Sequence, residues 1–113
     1  APINPSLVAK ACDFKFIPHG QHAICAGLVI CRQRPSTAKG HCFISLEDET
    51  GTANLFIPCS TFLNYRLVIT TEKFLLCHGR MQIGENDSRT LYTTSVEPLP
   101  LKLFLETESH DFH

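Results

Sequence analysis

Residues 41–57 read His-Cys-Phe-Ile-Ser-Leu-Glu-Asp-Glu-Thr-Gly-Thr-Ala-Asn-Leu-Phe-Ile. Inward and outward positions alternate on both sides of Asp48-Glu49-Thr50-Gly51, a polar turn that ends in glycine. Such alternation marks a strand with one buried face, and a short Gly-containing linker between two such runs marks a hairpin. Pairing Glu47 with Thr52 sets Ser45 opposite Asn54 and Phe43 opposite Phe56. Ile44, Leu46, Ala53, Leu55 and Ile57 then share the other face. A slip of one residue would exchange the two faces, so this register is well specified. One face is core, and the other carries two aromatics side by side among polar residues.

Working outward, residues 22–33 form a long β-rich run interrupted by Gly27, and a glycine there marks a bulge or a bend at a barrel corner. Arg34-Pro-Ser-Thr-Ala-Lys-Gly40 is a loop. Downstream, Pro58 ends the third strand. Ser60 as N-cap predicts a helix over 61–69, with Phe62 and Leu63 facing inward. Residues 73–83 form a fourth strand with a second bend at Gly79. Gly84-Glu-Asn-Asp-Ser88 is a turn, and 90–97 is a fifth strand of high β-propensity. Five strands at 22–33, 41–48, 52–57, 73–83 and 90–97, with one short helix between the third and fourth, give an all-β fold. That order is the OB-fold, a five-stranded Greek-key barrel. Residues 1–21 are a lead-in with at most one helical turn after Ser6, 22–97 the barrel, and 98–113 a tail. Leu101, Leu103 and Leu105 are expected to pack against this or another domain, because an exposed apolar run invites association.

The chain has 113 residues, enough for one core. Neither a secretory signal nor a membrane-spanning segment is expected: the first ten residues lack a basic start followed by an apolar stretch, and no run of 18 apolar residues occurs. Six cysteines stand without a C-x-x-C pair, which disfavours zinc; they read as free thiols and small buried hydrophobes in a reducing cytosol. Neither a metal nor another cofactor is expected. Net charge is −1, but Phe14 through Leu46 holds no Asp or Glu while carrying Lys15, Arg32, Arg34 and Lys39. A local basic patch of this kind can meet phosphate on a nearly neutral chain.

Aromatics on a barrel face are where single-strand binders stack bases. Phe43 and Phe56, with Asn54 beside them, are therefore the candidate stacking platform. Arg32, Arg34 and Lys39 flank the loop expected to border the groove and are candidate phosphate contacts. Arg80 and Gln82 share one parity of the fourth strand, where they either line that groove or cap the outside of the barrel. Catalytic residues are not expected. Asp48 and Glu49 read as turn residues with solvated charge, the six histidines lack a nucleophile at recognisable spacing, and no P-loop or GxSxG element occurs.

Cys25-Ala-Gly-Leu-Val-Ile-Cys-Arg-Gln-Arg-Pro35, Ala38-Lys-Gly40, Phe43-Ile-Ser-Leu-Glu-Asp-Glu-Thr-Gly51, Ala53-Asn-Leu55 and Gly79-Arg-Met-Gln82 resemble the C-terminal OB domain of bacterial error-prone DNA polymerases of the polymerase III alpha class. The closing Ser109-His-Asp-Phe-His113 is similar to that family's own end. Ile57 stands where the family tends to have Trp, and His78 and His110 where it tends to have Arg. The resemblance implies single-stranded DNA binding in damage-induced translesion synthesis, in the bacterial cytoplasm. It places the catalytic carboxylates in an upstream palm domain outside these residues. The partners it implies are single-stranded DNA, the rest of the polymerase chain, a Y-family-like polymerase and an accessory mutagenesis protein.

A different class of function is a protein-interaction module that docks polymerase domains or mutagenesis proteins, suggested by the near-zero charge and the apolar stretch Leu99 to Leu105. An anticodon-binding domain of a synthetase shares the Leu46-Glu-Asp-Glu-Thr-Gly51 element, but the Arg32-Gln-Arg-Pro35 loop and the C-terminal ending argue against it.

Overall fold

The computed structural model describes residues 8–36 and 39–100. Its strands are β1 (His22–Gln33), β2 (Cys42–Asp48), β3 (Gly51–Ile57), β4 (Phe74–Ile83) and β5 (Arg89–Pro98), closed into a barrel in the order β1-β2-β3-β5-β4. β1 serves two neighbours: its first half, His22 to Leu28, pairs with β4, and its second half, from Leu28, pairs with β2. The strand turns the corner at Gly27, where a Cβ would stand 2.6 Å from the Glu47 carbonyl oxygen. Gly79 makes the same provision on β4, where a Cβ would meet the Tyr92 carbonyl oxygen at 2.1 Å. The β2–β3 hairpin has Glu47 opposite Thr52, Ser45 opposite Asn54 and Phe43 opposite Phe56.

Alternation fills the interior. Ile44, Leu46, Leu55, Ile57, Leu75, Cys77, Met81, Leu91 and Val96 are all nearly inaccessible. Each such aliphatic side chain contributes about 1.5–3 kcal/mol by leaving water. Thr93 is buried among them and satisfies its hydroxyl on the Leu91 carbonyl at 3.1 Å.

Two helices, α1 (Cys59–Asn64) and α2 (Arg66–Thr71), lie between β3 and β4 and close one end of the barrel with Phe62 and Ile69. The expected single helix over 61–69 is thus two, broken at Tyr65 (φ −120°, ψ 23°). Ser60 is not the N-cap. The helix starts at Cys59 after Pro58, and His41 Nδ1 accepts the Cys59 N–H at 2.9 Å. Of the two residues expected to face inward, Phe62 is buried but Leu63 is 61% exposed. The short helix has room on the barrel for one stripe, and Leu63 falls outside it.

The described part of the lead-in joins the core. A 3-10 helix at Ala11–Phe16 supplies the helical turn after Ser6 and buries Phe14, and Ile17 follows it into the other end of the barrel. Arg89 ties this segment down, donating to the Phe14 and Ile17 carbonyls at 3.0 and 2.6 Å. Asp48 is not simply solvated: its carboxylate accepts the Ala11 N–H at 2.8 Å and the Thr50 N–H and hydroxyl. Outside the β1–β4 pair a second cluster joins Val8, Ala26, Leu76 and Leu99, and Leu99 donates its N–H to the Phe74 carbonyl at 3.0 Å. The expectation for Leu101 to Leu105 falls outside the described residues.

Candidate nucleic-acid interface

Strand register carries one row of residues around the outside of the barrel. Gln33 is opposite Phe43, Phe43 opposite Phe56, Phe56 beside Tyr92, Tyr92 opposite Arg80, and Arg80 opposite His22. Paired residues point to the same face, so these six side chains form a continuous band. Its middle is aromatic. Ring centroids are 5.3 Å apart for Phe43–Phe56, 5.6 Å for Phe56–Tyr92 and 5.0 Å for His41–Phe56, all tilted. Phe43 is 41% exposed, whereas its strand neighbours Cys42 and Ile44 are sealed in the core.

Hollows flank the band. One of about 410 Å³ lies between Phe43, Phe56, His19, Gln82, Ser88 and Thr90. Another of about 320 Å³ is lined by Cys31, Gln33, Phe43, Ser45, Asn54 and Thr90, among others. Asn54 accepts the Ser45 hydroxyl through Oδ1 at 3.1 Å. Flat rings bordered by amide and hydroxyl groups can stack planar ligands and hydrogen-bond their edges. Phe43, Asn54, Phe56, Arg80 and Gln82 are thus brought to one face.

Arg32 is not on it. β1 carries a bulge at Ile30: Val29 pairs with Leu46, but Cys31 pairs with Ser45. The extra residue reverses the parity of the strand end. Without it Arg32 would lie opposite Phe43; with it Arg32 lies opposite the core residue Ile44. The side chain instead reaches the end of α2, donating from Nε to the Ile69 carbonyl at 2.7 Å and from an Nη to the Glu72 carbonyl at 2.6 Å. It satisfies carbonyls that a helix C-terminus leaves unpaired. Arg34 also turns to the helices. Its guanidinium lies 3.9 Å from the Phe62 ring centroid and donates to the Gly40 carbonyl at 3.3 Å. Lys39 is exposed, at a positive φ of 54°. Arg32 and Arg34 are therefore engaged at the helix end of the barrel rather than at the rings.

Tyr92, Thr90 and Gln33 lie on the same face and were not among the sequence candidates, whereas His41, read from the sequence as a groove or surface residue, does lie against Phe56. The inward–outward alternation of Leu91, Tyr92 and Thr93 was a usable signal for Tyr92, but its position beside Phe56 depends on the parallel β3–β5 contact that closes the barrel. The six cysteines are free. Burial pushes the Cys25 thiol up to about 12 and the Cys77 thiol well above its ordinary value, so neither is a nucleophile in the folded chain. Among the described residues no three His, Cys, Asp or Glu side chains converge as a metal site, and no helix is long and apolar enough to cross a membrane.

A family model described as OB-fold nucleic acid binding domain matches residues 24–99, and the chain belongs to that family. Within it, the relatives are more particular. The chain is 43% identical over 88 residues to the error-prone DNA polymerase of Anaeromyxobacter dehalogenans, covering 78% of this chain and 8% of that one. It is 36% identical over 104 residues to the error-prone DNA polymerase of Saccharophagus degradans, covering 92% and 10%. The chain thus spans about a tenth or less of the curated relatives it matches, and the expected resemblance to that polymerase class is met. Among solved structures, asparaginyl-tRNA synthetase from Pyrococcus horikoshii complexed with asparaginyl-adenylate superimposes with a TM-score of 0.66 at 13% identity, over 81% of this chain and 22% of that one. An OBody bound to hen egg-white lysozyme superimposes with a TM-score of 0.67 at 8% identity, over 88% and 97%. At those identities the likeness is one of fold.

Proposed function

We propose that this chain is the single-stranded DNA-binding part of an error-prone DNA polymerase that acts in translesion synthesis in the bacterial cytoplasm. The observation that carries this reading is the ring series of exposed Phe43 and half-buried Phe56 and Tyr92 across the outside of an OB barrel. Every base has a π-face, so such a series holds single strands with little regard to sequence, at about 1–3 kcal/mol per stacked base. A duplex buries its faces in its own stack and gains nothing from the rings. In this reading the chain takes no chemical step. Nucleotidyl transfer belongs to the rest of a longer polymerase chain, and the domain holds the unpaired template near it. The Y-family-like polymerase and the accessory mutagenesis protein belong to this proposal as partners of the longer chain.

The test is competition binding. A fluorescent thymidine oligomer is expected to bind at low salt with modest affinity, because one barrel supplies few contacts. Excess unlabelled single strand should displace it, and excess duplex should not. No binding at low salt, or equal displacement by duplex, contradicts the reading.

A further inference from the structure

The outer band does not end in aromatics. Beyond Tyr92 it continues to Arg80 and then His22. His78 lies two residues before Arg80 on β4, hence on the same face, and its ring centroid is 6.1 Å from that of His22. Three side chains able to carry positive charge therefore share one patch, one register step from the last ring. Arg80 gives one N–H to the Gly20 carbonyl at 3.2 Å. A guanidinium has five N–H donors in a fork, so that bond leaves capacity for a second acceptor.

Resting on the single-strand reading above, we propose that His22, His78 and Arg80 form a subsite for one backbone phosphate of the bound strand, and that the strand binds there together with a proton. A neutral imidazole has one donor and a protonated one has two. A phosphate seated between the rings is an opposite charge within reach of both, which favours their charged form. Occupation therefore takes up a proton, and affinity rises as pH falls through the range in which imidazoles change charge.

Other groups facing this patch are Ser95, the β5 partner of His78, and Glu97, one outward step further along β5 and opposite Leu76. From the lead-in comes Asp13, which lines the same cleft as His22 and accepts the Lys10 N–H at 3.1 Å. His19 and His41 also lie near the rings but are tied differently. Their Nδ1 atoms accept the N–H groups of Ile83 and Cys59 at 3.0 and 2.9 Å, so a second proton would displace a backbone hydrogen bond. His22 and His78 instead meet ring to ring, beside an arginine on the path of the strand.

The experiment measures binding of the 113-residue chain to a labelled thymidine oligomer at fixed ionic strength, since thymine takes up no proton near neutrality. Between about pH 8 and about pH 6 the affinity of the parent chain should rise roughly five- to ten-fold, as one imidazole gains charge. The H22Q/H78Q double variant should bind more weakly and show no gain on acidification. A methylphosphonate oligomer, which lacks the charge, should show no gain with the parent chain. Flat binding by the parent overturns this inference while leaving the single-strand reading intact. A gain that persists in the double variant overturns it as well and assigns the proton to another group of the chain. No binding at any pH overturns both.

Discussion

Arg32 and Phe43 lie within one register step of each other, since Gln33 faces Phe43 and Arg32 faces Ile44. They nonetheless belong to different parts of the molecule. Phe43 looks outward into a band of rings, whereas Arg32 holds the end of α2 through two carbonyls. By charge, Arg32 is the more obvious ligand for a nucleic acid; by position, it is a structural staple. Arg89 repeats the pattern at the opposite end of the barrel, where it fastens the lead-in. In a small closed barrel the ends need donors for helix and loop carbonyls, and cations near the ends are drawn into that task. The outer face, remote from both ends, is where side chains stay available.

The difference rests on one residue. Deleting Ile30 would remove the bulge, return Arg32 to the side of Phe43 and put Gln33 toward the core. Stability should fall by about 3 kcal/mol or more, since a bulge is a built feature and its loss misplaces a strand end. Urea denaturation would measure it, and near-parental stability would show that the bulge is not what directs Arg32.

Next in size is Arg89→Ala, expected to cost about 2–3 kcal/mol, because charged hydrogen bonds to two lead-in carbonyls are lost in a part-buried setting. The same denaturation measurement applies. Affinity for single strands, compared at a denaturant-free reference, should hold.

Phe43→Ala should do the reverse. Oligonucleotide affinity should weaken by about 1–3 kcal/mol while the salt dependence is unchanged, because stacking is removed and no phosphate contact is. Fluorescence anisotropy across a salt series separates the two. Arg32→Ala, by contrast, should lower stability by about 1–2 kcal/mol and leave the salt slope where it was. A reduced slope in that variant would return Arg32 to the interface.

Much of this was legible in the chain. The alternation over residues 41–57 was strong enough to define the hairpin and its two faces, and Gly27 and Gly79 marked the corners. Phe43 and Phe56 followed from the same pattern. The bulge at Ile30 was not legible, because an extra residue in a run of Val, Ile and Cys changes no local preference while reversing everything after it. The β3–β5 contact was not legible either, since parallel closure joins strands more than thirty residues apart. It is that contact that adds Tyr92, and through it Arg80, to the band. The two-helix break at Tyr65 and the outward Leu63 reflect packing on the barrel end, which helix periodicity alone does not encode.

The smallest effect expected is at Lys39. Lys39→Ala should reduce the slope of log affinity against log salt by about 0.7, the share of a single phosphate contact on single-stranded DNA. Arg34→Ala should show less than that, because its guanidinium is already seated on Phe62. Equal losses at the two would mean that Arg34 leaves the ring when DNA arrives.

The central claim, that the outer ring band and not the cation-bearing barrel end is the binding face, is tested most directly by NMR. A thymidine oligomer is titrated into the isotope-labelled chain and the shifted signals are mapped. Shifts concentrated at Gln33, Phe43, Phe56, Tyr92 and Arg80, with Arg32, Arg66 and Leu67 nearly still, are the predicted result. Shifts concentrated at Arg32 and the two helices, with the ring signals unmoved, would contradict it.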